Sequence, residues 1–243
     1  MVDNMANETE ETTKSRIGAA RFCAFVDGIS ALTTDAKIES DGIALRTTSL
    51  TPNGVSLVSA VAPLHGRGTK FVTGADFDKL AKLLPDDYEQ PFELSVVDDQ
   101  LLVTGSNLKL KLAHDYVGKS DKEPSVEGMT KVKCDGAAFA KRLAYFERIS
   151  PYVTLELTAG NPNIDILGHG DIGNAQRGLP LAAAADASVH GTFNIEYLLN
   201  MVKLAASHQV GIELSLKSDD PCCIAYEIEG VSFRYWLAPY TES

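Results

Sequence analysis

Apolar residues recur at helical spacing in four stretches of the chain and alternate with polar residues through most of the rest. In RFCAFVDGISALT, Phe22, Phe25, Val26, Ile29 and Leu32 keep the three-and-four spacing of a helix with one buried side. KIES, DGIALRTTS and GVSLVSAVAP follow and alternate as strands do. DFDKLAKLLPDD predicts a second helix, with Phe77, Leu80, Leu83 and Leu84 on its apolar side and Pro85 as its stop. FELSVVDDQLLVTGSNLKLKLAHD then reads as a hairpin turning at Asp98-Asp99, with one further strand.

The next stretch, HDYVGKSDKEPSVEGMT, carries charge, Gly and Pro without periodicity, which is the composition of an exposed linker. Beyond it KVKC predicts a strand, and GAAFAKRLAYFERIS a third helix with Phe139, Leu143, Phe146 and Ile149 on one face. PYVTLELTAG, NIDILGHGD and QRGLPLAAA read as strands, FNIEYLLNMVKLAASH as a fourth helix, and GIELSLKS, CCIAYEIEG and VSFRYWLAP as closing strands. The order of elements in the second half repeats that of the first, although few residues are shared. The expectation is an α+β chain of two similar domains built from antiparallel sheets and paired helices. Residues 1–16 read as a disordered tail, 17–113 as the first domain with regular structure from about Arg21, 114–130 as the linker and 131–243 as the second domain.

Charge narrows the partners. With 33 acids against 22 bases the net charge is −11, so any contact with nucleic acid must be local. Lys79 and Lys82 nevertheless share the polar side of the second helix, Lys141 and Arg148 lie seven residues apart on the third with Arg142 on the flank, and Lys203 lies on the fourth. No apolar run approaches the length of a membrane span, and MVDNMANETEETTKS lacks the basic-then-apolar order of a signal peptide, which predicts an intracellular protein. Cys23, Cys134, Cys222 and Cys223 show no CxxC pairing and read as reduced thiols.

The last strand and tail, VSFRYWLAPYTES, resemble the C-terminal strand and Leu-Ala-Pro tail of the sliding clamp family that includes proliferating cell nuclear antigen. DGIALRTTS with GVSLVSAV resembles that family's paired strands after the first helix, DFDKLAKLL its second helix, GAAFAKRLAYFERIS its third and FNIEYLLNMVK its fourth. SDDPCCIAYEIEG is similar to its penultimate hairpin, where a proline precedes a strand ending in Tyr-x-Ile. The resemblance runs in order from about Arg21 to Pro239.

It implies the DNA clamp fold, with three chains closing into a six-domain ring whose helices line the hole. DNA-binding positions would then be Lys79, Lys82, Lys141, Arg148 and Lys203 on helices and Lys111 on the strand before the linker. The partner would be double-stranded DNA, held by its backbone without sequence specificity, since mobile phosphate contacts permit sliding. Subunits would join head to tail through Leu108, Lys109 and Leu110 on the strand 108–114 and Arg177, Leu179 and Leu181 on the strand 177–183, where Pro180 lacks a ladder donor. A groove of Val55, Leu57, Val126, Pro221, Trp236, Leu237, Ala238 and Pro239 would take short peptides of a clamp loader, a DNA polymerase and other enzymes. The implied role is a processivity factor of replication and repair, located with the nucleoid, or in the nucleus of a eukaryote. No catalysis, cofactor, metal or membrane contact is implied.

Several positions depart from the family pattern. Cys23, Ala24, Asp27 and Ser30 stand in the first helix, Ala144 in the third and Glu196 in the fourth where bases are common, and the tail ends Pro-Tyr-Thr-Glu-Ser. The linker DKEPSVEG is also more polar than usual. The missing bases and Pro180 keep a second reading open, a diverged clamp-like subunit of a heteromeric ring or of a specialised repair or viral system. A reading of another class, an α+β enzyme, has no local support: GxSxG, P-loop, HExxH and GxGxxG motifs are absent, and His65, His114, His169, His190 and His208 lack metal-ligand spacing.

Overall fold

The alternating segments become strand pairs along almost the whole chain. A computed structural model describes residues 14–84, 89–112, 122–170 and 173–241. The expected disorder of the tail therefore falls, up to residue 13, outside the described residues, as does much of the linker. The first half runs β1 (Ser15–Ile17), α1 (Ala19–Ser30), β2 (Asp35–Asp41), β3 (Ala44–Leu50), β4 (Ser56–Pro63), β5 (Lys70–Asp76), α2 (Phe77–Leu83), β6 (Phe92–Val97), β7 (Gln100–Thr104) and β8 (Lys109–Leu112). The second runs β9 (Thr130–Asp135), α3 (Gly136–Phe146), β10 (Tyr152–Leu157), β11 (Asn163–Gly170), β12 (Gly173–Pro180), β13 (Val189–Asn194), α4 (Ile195–Ser207), β14 (Gly211–Leu216), β15 (Cys222–Ile228) and β16 (Val231–Leu237).

Three antiparallel sheets result. Two have four strands, in the orders β1-β6-β7-β8 and β12-β11-β10-β13. The third has eight, β5-β2-β3-β4-β16-β15-β14-β9, and joins the halves where β4 pairs with β16, Leu57 lying opposite Trp236. The turn of the β6–β7 hairpin has Asp98 at φ 52° and Asp99 at φ 59°, the left-handed pair that a tight two-residue hairpin needs.

Local chemistry sets the helix starts. Asp76, Asp135 and Asn194 cap α2, α3 and α4, each accepting the N–H three residues on, from Lys79 at 2.7 Å, Ala138 at 2.6 Å and Tyr197 at 3.3 Å. The apolar stripes then meet the sheets: Phe22 of α1 packs against Phe92 of β6 at 5.6 Å, and Phe25 against Phe77 of α2 at 6.1 Å. Gly28 brings α1 down onto the long sheet, since a Cβ there would lie 2.3 Å from the Phe233 ring. Under it a buried relay ties the halves together. Tyr235 donates to Gly28 O at 2.9 Å, and Tyr226, 3.0 Å from the Tyr235 hydroxyl, lies 3.0 Å from Met201 O of α4.

Three strands were not expected. Ser15 and Arg16, within the span read as tail, form β1, which pairs with β6 and is held there by Lys14 and Arg16 against Glu93 at 2.8 and 2.9 Å. These bases hold the Glu93 carboxyl below its usual range, Lys14 contributing most. β5 and β13 run straight into α2 and α4, and their central Gly74 and Gly191 weaken the alternation that marks a strand.

Candidate nucleic-acid interface and docking groove

The polar sides of α2, α3 and α4 and the turn after α3 carry exposed bases, but not equally available ones, whereas the one base of α1, Arg21, is half-buried and bonded to Glu229 O at 2.9 Å. On α2, Lys82 Nζ lies 2.6 Å from Asp78 Oδ2, and Lys79 Nζ lies 3.7 Å from Asp76 Oδ2. The hydrogen bond to Asp78, reinforced by its charge, raises the pKa of Lys82 above its ordinary value. Lys141 of α3, Arg148 and Lys203 of α4 are exposed and form no ion pair among the described residues. Arg148 lies just past α3, in the turn after the cap residue Glu147, so it does not continue the helical register with Lys141. Glu196 and Asp27 are also exposed on the helices.

Lys111 does not join this group. Along β8 Leu112 is buried in the core while Lys109 and Lys111 are exposed, so both lysines lie on the sheet face away from the core and its helices. Lys111 Nζ there sits 3.4 Å from Asp98 Oδ2 of the neighbouring hairpin. Lys111 thus lies on the strand before the linker, as expected, and strand alternation turns it away from the helices.

The two expected joining strands are both sheet edges: β8 ends one four-stranded sheet and β12 the other. Leu108 and Leu110 are half-buried against the core, Leu179 is fully buried, and Arg177 lays its guanidinium over the Tyr145 ring at 4.1 Å. The second strand spans Gly173–Pro180 rather than 177–183, and Leu181 follows it as a half-buried residue. Leu181 donates to Pro162 O at 2.8 Å, and bonding alternates along an antiparallel strand, so the nitrogen of Pro180 faces the open edge. The missing donor therefore falls on the side another strand would pair with.

A cavity of about 240 Å³ opens beside β4 and β16, lined among others by Leu50, Val55, Leu57, Pro124, Pro221, Trp236 and Ala238. Five of the eight expected groove residues line it. Val126 instead packs, with Met129, on a small satellite cluster of Leu57, Cys223 and Trp236. Leu237 belongs to the main core at 1% exposure, because neighbours on β16 point to opposite faces. Pro239 is half-buried and does not line the cavity. Leu50, which is 40% exposed, and Pro124 were missed; an apolar residue ending β3 beside a turn was the available signal for the first.

The groove walls are fixed from both sides. Glu123 of the linker accepts from Ser59 of β4 and lies 3.3 Å from Arg234 of β16. On the tail side Ala238 donates to Val55 O at 2.9 Å and Tyr240 to Thr192 O at 2.8 Å, and the Tyr240 ring stacks on Tyr152 at 4.0 Å. Burial pushes the Cys134 and Cys223 thiols up to about 12, so neither offers a thiolate. Among the described residues no three His, Cys, Asp or Glu side chains gather as metal ligands, and no helix is long and apolar enough to cross a membrane.

No protein-family model matches the chain. It is 25% identical to a DNA polymerase sliding clamp of Methanococcus maripaludis over 91% of its own length and 96% of the relative's. It is 24% identical to one of Methanococcus vannielii over 95% and 99%. Among solved structures it matches A. fulgidus PCNA, bound to the C-terminal region of FEN-1, with a TM-score of 0.81 at 21% identity, covering 95% of this chain and 99% of that one. The proliferating cellular nuclear antigen of Entamoeba histolytica matches with the same TM-score and coverage at 18% identity.

Proposed function

From a chain that is a diverged relative of the PCNA-type sliding clamps in sequence and in fold, we propose a DNA polymerase processivity factor that encircles duplex DNA and tethers other enzymes to it. The observation that carries the reading is the reach of the similarity, which covers nearly the whole of both chains. Three copies would close head to tail through β8 and β12, placing the helices around the hole. Lys141, Arg148 and Lys203 would meet phosphates first, with Lys79 and Lys82 contributing once they leave their carboxylates. Such contacts are sequence-blind and weaken with salt, which lets a topologically trapped ring slide. The chain acts as a tether and not as a catalyst, inside the cell, on the nucleoid or in the nucleus of a eukaryotic host. Polymerase, clamp loader and nuclease peptides would dock in the groove over Trp236.

The test is topological. A closed ring stays on a nicked circular duplex through a high-salt wash and leaves once the circle is cut. The double substitution Lys141→Glu and Lys203→Glu should lower retention without changing the assembly state. Equal loss from circular and linear DNA would contradict encirclement.

A second reading, one subunit of a heteromeric ring, is favoured by the two edges themselves. Pro180 withholds a donor, and Lys109 and Arg177 put positive charge on both edges, so a partner chain with an acidic edge would pair better than a second copy.

A further inference from the structure

The groove holds an unsatisfied donor. Trp236 is 3% exposed, and its Nε1 is the one buried side-chain nitrogen or oxygen among the described residues with no hydrogen-bond partner. A buried indole N–H usually finds an acceptor, and an orphan donor destabilises the state that contains it. The protein supplies none at this place. Leu57, Val126 and Met129 around the ring offer no side-chain oxygen, the Ser56 hydroxyl, which donates to Thr51 at 3.2 Å, makes no bond to the indole, and Lys122 at the cavity wall is a donor only. A phenyl ring at this place would carry no such unpaired donor.

We propose that Trp236 is a specificity-determining residue of the groove, its N–H donating to a carbonyl oxygen of the docked segment. The ligand is then an extended peptide that seats an apolar anchor against Leu50, Val55 and Pro221 and presents a backbone or side-chain amide oxygen beside it. Val126 and Met129, which lie in neither helix nor strand, cover the ring in the free protein and give way to the ligand. Segments with the same anchor but no oxygen at that position bind less tightly, because the donor stays unpaired. The inference rests on the reading of the groove as a peptide site.

Trp236 is the only tryptophan, so a ¹⁵N-labelled sample gives a single indole resonance. Titration with a synthetic peptide of the C-terminal region of A. fulgidus FEN-1 should move that resonance downfield to saturation and slow its exchange with solvent. Trp236→Phe, which keeps a smaller aromatic ring and removes the donor, should weaken the peptide about 3- to 10-fold and abolish the preference for segments that present the oxygen. Saturable shifts of the Leu50 and Ala238 backbone amides with an unmoved indole, or a phenylalanine variant that binds as tightly as the parent, would overturn the donor role while leaving the groove intact. No saturable shift anywhere would remove the peptide-site reading, and this inference with it.

Discussion

Lys82 and Lys141 carry the same charge on the same layer of helices, yet they are not equivalent toward a polyanion. Lys82 already holds Asp78 at 2.6 Å, whereas Lys141 forms no ion pair among the described residues. A phosphate gains less from a base whose charge is locally balanced. Asp78→Asn should therefore free Lys82, raise affinity for duplex DNA and steepen the dependence of log K on log salt by about one, read by fluorescence anisotropy across a salt series. An unchanged slope would mean that Lys82 does not face the duplex. The substitution also removes an acid from the first turn of α2, so a modest loss of helix stability should accompany it. The polar side of α2 was legible in the sequence, and so was the Asp78–Lys82 spacing of four, which favours an ion pair. Trp236 and Leu237 carry the same lesson: neighbours on one strand cannot both line one groove, and only Trp236 does.

Individual elements show where sequence patterns succeed. α1, α3 and α4 were readable because each buries one continuous stripe, such as Phe139, Leu143 and Phe146. β5 and β13 were not, because glycine and polar residues interrupt them and their last residues, Asp76 and Asn194, already belong to the helix caps that follow. β1 is three residues long, too short to show a period at all. β12 is the element on which the proposed assembly turns. It pairs with β11 along its whole length, whereas its open edge lacks a donor at Pro180. Pro180→Ala restores that donor, and self-association should tighten about 2- to 10-fold in sedimentation equilibrium. Unchanged or weaker association would place the subunit contact elsewhere.

For the whole molecule, the repeat of elements gave the two-part architecture, but not the continuity between the parts. The eight-stranded sheet passes from one half to the other through β4 and β16, and the hydroxyls of Tyr235 and Tyr226 link α1 to α4 beneath it. No local pattern announces a pairing between strands so far apart in the chain, since only the folded sheet brings Leu57 opposite Trp236. A rigid two-part unit of this kind holds its open edges β8 and β12 in fixed directions, which a ring of defined copy number requires. In the proposed ring, the net charge of −11 per chain would disfavour DNA on the outer surface and leave the helix-lined side as its place. The claim that the β8 and β12 edges of like chains join head to tail into a ring is tested most directly by the mass of the protein in solution, measured by light scattering behind size exclusion over a range of concentrations at moderate salt. A mass three times 26.1 kDa is predicted. A monomer that persists at every concentration would contradict self-assembly and require a different chain at one or both edges.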